Sequence, residues 1–301
     1  MYSRGKKCRE IVMRKIYLLT TEHLEEGLWF RDEEDFKTAM NYIAIEAVRH
    51  PEVVVLAFIL MSNHVHFILN GKHKDVESFI NCFKHRYSIY YRRKYGVKEF
   101  LRRNGLDIRE VPFEDEAPEK GIAYVQMNCV AANICTHPSQ YPWGTGNVFF
   151  NPTPLIGGRL GDMSVRARNR LLHSDSDCLP NEWIVGSDGY IPPQNFVNIS
   201  AVERIFRTPQ RMNFFYRNSS KAKKRFELSD NLPAFRDQTI LAALPDLCRS
   251  LFQKDSFTQL QIEEQTEFAR QIRFRFSADA NQIARVCGIT YSDAARLLDS
   301  V

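Results

Sequence analysis

The chain has 301 residues, 44% of them hydrophobic and 26% charged, with a formal net charge of +5. These are the values of an ordinary soluble globular protein, and the length favours about two domains. No run approaches the ~18 apolar residues of a membrane helix, and the basic opening residues lead into no apolar signal region. The seven cysteines are an odd number without CxxC spacing. We therefore expect reduced thiols in the cytoplasm, with neither a disulfide framework nor a zinc knuckle.

Short apolar runs alternate with amphipathic segments in the first part of the chain. KIYLLT at residues 15–20 predicts a strand. The acidic turn that follows Asp32 predicts a helix over about 33–49 with Asp32 as its N-cap. EVVVLAFIL at 52–60 is a β-branched apolar run and predicts a strand buried on both faces. Met61-Ser62-Asn63 is compatible with a tight turn, and HVHFIL, which begins at residue 64, predicts the antiparallel neighbour of that strand.

The next elements complete a recognisable order. They are a helix from about Asp75 to Tyr95, a strand over 108–114, an acidic linker over 115–121 and a short helix over about 120–133. The resulting order, β-α-β-β-α-β-α, resembles a ferredoxin-like sheet with helices packed on one face. We predict an α+β fold and a first domain over residues 1–149.

A basic segment spans residues 84–105. It holds eight Lys or Arg residues and one Glu, with four tyrosines between them. A basic stripe attracts polyanions, and tyrosines can stack on bases. The alternative is a solvated helix face whose tyrosines pack partly inward.

The second half of the chain changes character. Residues 150–199 are loop-like with a short basic helix, and we interpret them as a connector or small subdomain. Residues 200–301 predict a mainly helical C-terminal domain, interrupted by the basic run SSKAKKRFE at 219–227, whose only suggested role is a phosphate contact. The last part, over 280–299, has the profile of a helix-turn-helix with Gly288 at its turn. Arg285 and Arg296 would then be available for DNA. A plain αα-hairpin is the alternative.

Two histidines stand one residue apart in the predicted strand. His64 and His66 would point to one face, about 6–7 Å apart along the strand, and can converge on one ion. The alternative is two individually hydrogen-bonded histidines. In AYVQMN, Tyr124 and Asn128 are four residues apart in a predicted helix and therefore share a face. On its own, that pair is better explained by an ordinary interface tyrosine with Asn128 beside it incidentally.

The order and spacing of both motifs resemble a known family. LAFILMSNHVHFIL is similar to the His-hydrophobe-His (HUH) signature of single-tyrosine transposases. AYVQMNCVAANICTHPSQYPWGTG resembles the segment that carries their catalytic tyrosine. The REP-associated tyrosine transposases, which are IS200-like, are the branch that it resembles most. The resemblance covers roughly residues 12–145. One departure is Cys129, which stands where members commonly have proline.

The resemblance implies a function and its residues. It implies a DNA transposase, that is, a single-strand endonuclease and strand transferase acting through a 5′-phosphotyrosine. Tyr124 would be the nucleophile, and His64 and His66 the catalytic metal ligands for Mg²⁺ or Mn²⁺. The family motif position makes Asn128 the third ligand. The substrate would be single-stranded or hairpin DNA, and the protein a monomer or homodimer. The suggested phosphate contacts are Arg86, Arg92, Arg93, Lys94, Arg102 and Arg103.

Two other functions stay open at this point. A domesticated DNA- or RNA-binding regulator would keep the fold without turnover, and the departure at Cys129 leaves room for it. A metal-dependent hydrolase would use the histidine pair with a bound water and form no covalent intermediate.

Overall fold

The computed structural model describes residues 15–24, 27–175, 178–220, 235–276 and 278–299. Its strands are β1 (Lys15–Thr21), β2 (Val54–Met61), β3 (His64–Gly71), β4 (Leu106–Val111), β5 (Gly157–Arg159) and β6 (Ile184–Gly186). The helices of the first half are α1 (Glu33–Arg49), α2 (His73–Tyr95), α3 (Ala117–Gln126), α4 (Asn128–Ala131) and α5 (Val165–Leu172). Those that follow are α6 (Ile199–Phe206), α7 (Pro209–Asn218), α8 (Asp237–Phe252), α9 (Ile262–Phe276), α10 (Ala280–Cys287) and α11 (Tyr291–Asp299).

The main sheet has the strand order β2-β3-β1-β4, and all of its neighbours are antiparallel. Short strands β5 and β6 form a separate two-stranded sheet. The predicted α+β, ferredoxin-like class is confirmed, and β2 and β3 meet through a tight turn at Ser62-Asn63 as predicted. The predicted cap of α1 is also observed, since the Asp35 backbone N–H donates to Asp32 Oδ1 at 3.0 Å.

The helices cover both faces of the sheet, so the prediction of helices on one face was wrong. Phe67 packs its ring against Phe79 and Phe83 of α2. The preceding residue, His66, contacts Tyr124 of α3. Neighbouring residues of a strand point to opposite faces, so α2 and α3 lie on opposite sides of β3. The handedness of crossovers between parallel strands fixes the face of α2, but α3 follows β4, the last strand of the main sheet, so its side is set by packing alone.

A segment beyond α4 closes the β2 edge of the sheet. The Leu60 N–H donates to the Trp143 carbonyl at 2.8 Å, and the Tyr141 hydroxyl donates to the Leu60 carbonyl at 2.7 Å. Gly144 bridges to Ile59, and a Cβ added to Gly144 would lie only 2.9 Å from the Phe58 carbonyl oxygen. Glycine is therefore required for the close approach that pairs this otherwise open strand edge.

Two hydrophobic clusters divide the described residues. The first contains the sheet and extends to Tyr216, and it includes side chains from the predicted connector such as Leu160 and Ile191. The second runs from Ile240 to Leu297. The suggested boundary at residue 200 falls inside the first cluster, because α6 and α7 bury their apolar faces there. We propose a boundary after α7 instead. Most of the basic run at 219–227 lies outside the described residues. In the part of the chain described, no helix is both long and apolar enough to cross a membrane.

A buried carboxylate ties α1 to the end of α2. Asp35 is completely buried and accepts hydrogen bonds from the Tyr90 hydroxyl at 3.0 Å, the Tyr95 hydroxyl at 2.7 Å and the Lys94 ammonium at 2.8 Å. Burial by itself would lower the pKa of Lys94, but its hydrogen bonds to Asp32 and Asp35 raise it above its ordinary value. Lys94 is therefore a charged partner of Asp35 at neutral pH.

We expect Asp35→Asn to lower the free energy of unfolding by about 3 kcal/mol, because it removes the buried counter-charge of Lys94 and leaves that ammonium only its half-exposed partner Asp32. Asp32→Asn is the matched control: asparagine keeps the helix cap, and the half-exposed Lys94–Asp32 ion pair is worth less than about 1 kcal/mol. Urea unfolding followed by circular dichroism measures both. Equal losses in the two variants would contradict the role assigned to Asp35.

Candidate active site

The histidine pair lies on the α3 face of the sheet. His64 and His66 are both buried, and their ring centroids are 4.7 Å apart with the rings nearly perpendicular. Val65 between them points to the opposite face, as strand alternation requires. The strand geometry therefore places both imidazoles on one face of the sheet, as the sequence predicts.

A neighbouring strand holds His66. Thr20 of β1 is paired with His66 in the sheet register, and its Oγ1 lies 2.9 Å from His66 Nδ1. Thr21 beside it points the other way and accepts the Val65 N–H at 3.0 Å. The bond to Thr20 fixes the ring plane of His66 and occupies Nδ1, so Nε2 is the nitrogen suited to a metal.

The residue before the pair orients His64. Asn63 donates its Nδ2 to the Leu24 carbonyl at 3.1 Å, which assigns its other atom as oxygen. That Oδ1 lies 2.9 Å from His64 Nδ1. An amide oxygen can only accept, so Nδ1 carries the hydrogen and the lone pair is on Nε2. His64 is thus held in the tautomer that binds a metal through Nε2.

Tyr124 reaches the histidines from α3. Its ring is half-buried and meets the His66 ring edge-to-face, with centroids 5.8 Å apart. The structure therefore brings three predicted site residues, His64, His66 and Tyr124, into one continuous ring contact.

Asn128 is held one turn after Tyr124. Its Nδ2 donates to the Tyr124 carbonyl at 2.9 Å and to the Val125 carbonyl at 3.1 Å. Because Nδ2 makes these two hydrogen bonds, Oδ1 is the side-chain atom that can coordinate a metal. Its assignment as third metal ligand stays a prediction. The helix predicted as continuous over this region is interrupted at Met127, where α3 ends and α4 begins.

Four residues near the site were missed from the sequence. Thr20 and Asn63 orient the histidines, and the His23 ring lies against His64 with centroids 3.7 Å apart and the planes inclined by 32°. Arg109 of β4 pairs with Asp107 at 2.7 Å. That hydrogen bond raises the pKa of Arg109, and the nearby Tyr124 phenol contributes a smaller effect in the same direction. Only Asn63 carries a sequence signal, because it directly precedes the histidines; the others come from separate strands and loops.

The basic segment contributes more side chains to the protein core than predicted. Tyr87, Tyr90 and Tyr91 are buried, and Tyr91 stacks on Phe100 with centroids 3.7 Å apart. The idea that the tyrosines of this segment stack on bases is therefore not supported by their placement, and the inward-packing alternative describes them. Burial raises the pKa of Tyr90 to about 12, so its hydroxyl is a neutral donor to Asp35 at physiological pH.

The predicted phosphate contacts fall into three groups. Arg86 donates Nε to buried Glu46 at 2.8 Å, and Lys94 is bound to Asp35, so both have structural partners. Arg102 pairs with Glu99 at the surface. Arg92, Arg93 and Arg103 are exposed. The last group is the best placed for DNA.

The C-terminal pair α10 and α11 has the predicted turn. Gly288 ends α10 with φ +68°, a conformation that favours glycine, and Thr290 Oγ1 caps α11 by accepting the Asp293 N–H at 3.0 Å. Arg285, however, donates Nε to buried Asp237 of α8 at 2.9 Å, and Arg296 pairs with Asp293. Its structural bond makes Arg285 the weaker of the two suggested DNA contacts, which leaves the αα-hairpin alternative standing.

Part of the chain is similar to known proteins. The family model "Transposase IS200 like" matches residues 29–105. The predicted resemblance to IS200-like transposases is confirmed. The match takes in both histidines and ends before Tyr124. A solved structure described as "Structure of the REP associates tyrosine transposase bound to a REP hairpin" is 14% identical over 44% of this chain and 77% of that chain, with a TM-score of 0.32. No curated protein matches the chain.

The residues present fit the divalent metal that this family implies. His64 and His66 both have their Nδ1 atoms engaged by oriented neighbours, the arrangement typical of metal-ligating histidines. Two imidazole nitrogens suit Mn²⁺ better than Mg²⁺, which prefers oxygen ligands.

We expect Thr20→Val to weaken Mn²⁺ binding about 10- to 100-fold, because the isosteric change removes the bond that orients His66. Isothermal titration calorimetry of the full chain measures this affinity. Thr21→Val is the control, since its side chain serves the opposite face and its loss should lower stability without changing Mn²⁺ affinity. Unchanged binding in Thr20→Val would exclude His66 as an oriented ligand.

Proposed function

We propose that this protein is a single-strand DNA endonuclease and strand transferase that uses Tyr124 as its nucleophile. The observation that carries the proposal is the edge-to-face contact of Tyr124 with His66, which places a phenol beside two oriented imidazoles. The match of residues 29–105 to the IS200-like transposases supports the same reaction class.

The covalent step balances without an energy source. The Tyr124 oxygen attacks the scissile phosphorus, a bond to the phenol oxygen forms, and the bond from phosphorus to the 3′ oxygen breaks. The phenol loses its proton and the departing 3′ oxygen gains one. One phosphoester replaces another, so a later attack by a 3′ hydroxyl can reseal a strand without ATP.

A phenol is a weak nucleophile at neutral pH because its ordinary pKa of about 10 keeps it largely protonated. The reaction therefore requires activation of the phenol or of the phosphate. A divalent ion held by His64 and His66, with Asn128 as the proposed third ligand, would supply Lewis-acid polarisation of the phosphate when bound. The chain's own residues position the groups: Thr20 and Asn63 fix the imidazoles, and the rigid helix α3 presents the phenol.

Single-stranded or hairpin DNA is the proposed substrate. The similar solved structure is of a REP-associated tyrosine transposase bound to a REP hairpin, and the exposed arginines at the end of α2 supply positive charge. Arg109, exposed on β4 and paired with Asp107, is near enough to Tyr124 to interact with it electrostatically and is a further cation for the phosphate backbone. Such contacts position DNA without reading its sequence.

One assay separates this proposal from a regulator and from a hydrolase. The full chain is incubated with labelled single-stranded hairpin DNA and Mn²⁺, then run on a denaturing gel. We expect a covalent adduct that disappears in Tyr124→Phe, because only the phenol oxygen is removed.

The control is Tyr291→Phe, an exposed tyrosine on α11, which should keep the adduct. Cleavage that persists in Tyr124→Phe would reject the tyrosine mechanism and favour the hydrolase. Binding without cleavage by the wild-type protein would favour the regulator.

Charge removal at the end of α2 should weaken DNA binding selectively. A plot of log affinity against log salt concentration has a negative slope, to which each phosphate contact on a single strand contributes about 0.7. For the double variant Arg92→Gln/Arg93→Gln, we expect this slope to become shallower by about 1.4. Fluorescence anisotropy at several salt concentrations measures it. Arg249→Gln, an exposed arginine on α8 paired with Asp255, is the control. An unchanged slope in the double variant would place DNA elsewhere.

A further inference from the structure

A second cluster of metal-binding groups joins α1 to α2. A carboxylate oxygen of Glu46, a ring nitrogen of His50 and the Cys82 sulfur all lie within 4.8 Å of one another. Glu46 lies in the last turn of α1, and His50 is the C-cap residue of that helix, whose backbone N–H donates to the Glu46 carbonyl at 2.9 Å. Cys82 faces them from α2. No motif in the sequence connects the three, because they come from two helices.

This cluster lies across the sheet from the histidine pair. The His50 ring packs edge-to-face on Phe79 at 5.7 Å, and Phe79 contacts Phe67. Phe67 and His66 point to opposite faces of β3. The cluster is thus separated from the Tyr124 site by the sheet, and an ion there would have no access to the DNA bound at that site.

The donors are already partly organised. Glu46 is almost fully buried; its Oε1 pairs with Arg86 at 2.8 Å, and its Oε2 lies 3.4 Å from His50 Nδ1. The other ring nitrogen, Nε2, lies 3.3 Å from Ser78 Oγ, one turn before Cys82 on α2. The imidazole therefore spans the gap between the helices, while the exposed Cys82 side chain opens the cluster to solvent.

The chemistry of the donor set selects the ion. Thiolate and imidazole are soft or borderline ligands that favour zinc, whereas Mg²⁺ and Ca²⁺ require oxygen. In a tetrahedral zinc site, neighbouring donors stand roughly 3.3–3.8 Å apart, given Zn–S of about 2.3 Å and Zn–N of about 2.0 Å. A rotation of the exposed Cys82 side chain can supply the contraction of about 1 Å that this spacing requires.

We propose that Glu46, His50 and Cys82 form a zinc site that fastens α1 to α2, with water as the fourth ligand. Glu46 Oε2 is the carboxylate oxygen available to the ion, because Oε1 stays on Arg86. Binding converts the Cys82 thiol to a thiolate and releases its proton. The site is independent of the proposed strand transfer, and its role is to stabilise the helix pair that carries the basic segment.

Cobalt substitution tests the proposal on the metal-free full chain. Thiolate-bound Co²⁺ shows a charge-transfer absorption in the near ultraviolet that imidazole and carboxylate ligands do not produce. We expect one equivalent of this signal, displaced by Zn²⁺, in the wild-type protein and in His64→Ala/His66→Ala. Cys82→Ser should abolish it, whereas Cys178→Ser, the control at another cysteine, should retain it.

A second measurement guards against misfolding of a variant. Zn²⁺ should raise the melting temperature of the wild-type protein and of Cys178→Ser but not of Cys82→Ser, and His50→Gln should lower zinc affinity at least tenfold. Absence of the cobalt signal in the wild-type protein, or its persistence in Cys82→Ser, would overturn the proposal. Loss of the signal in a folded His64→Ala/His66→Ala protein would also overturn it, because the thiolate signal would then depend on residues across the sheet.

Discussion

The alternation of side chains along β3 is the constraint on which the rest of the structure depends. His64 and His66 face α3, while Val65 and Phe67 face the apolar layer under α1 and α2. One strand therefore supplies a polar site to one layer and a dry core to the other. A shift of one residue in register would exchange the two faces. The pairing of Thr20 with His66 in β1 both holds that register and orients the imidazole.

In the layer opposite the site, charged and aromatic side chains of the basic segment stabilise the fold. Buried Asp35 and Glu46 on α1 form ion pairs with Lys94 and Arg86 of α2. Part of the positive charge of the basic segment is therefore neutralised within the protein. Two tyrosines between these residues also pack inward: the Tyr90 phenol donates to Asp35, and the Tyr87 phenol donates to the Trp29 backbone carbonyl. A basic, aromatic sequence is therefore weak evidence for nucleic-acid binding until its exposed members are known.

Much of the first half of the fold could be predicted because its signals are local. The cap at Asp32, the two-residue turn at Ser62-Asn63 and the alternation in β3 depend on neighbours in sequence. The unit boundary was harder to predict. Residues 150–220 contain loops and short amphipathic helices, and nothing local shows that Leu160 and Tyr216 are buried in the same cluster as the sheet.

By itself, the sequence determined the antiparallel α+β class and the shared face of His64 and His66, while the roles predicted for Tyr124 and Asn128 came from the resemblance to a family. Only the tertiary structure decided which helix lies over the histidines, which residues orient their rings, and which basic side chains are held by buried carboxylates. It also brought Glu46, His50 and Cys82 together from two helices. The physical reason is that periodicity and capping act over a few residues. Contacts such as Thr20–His66 and Glu46–Arg86 join residues 46 and 40 positions apart, and they exist only when the sheet and helices pack.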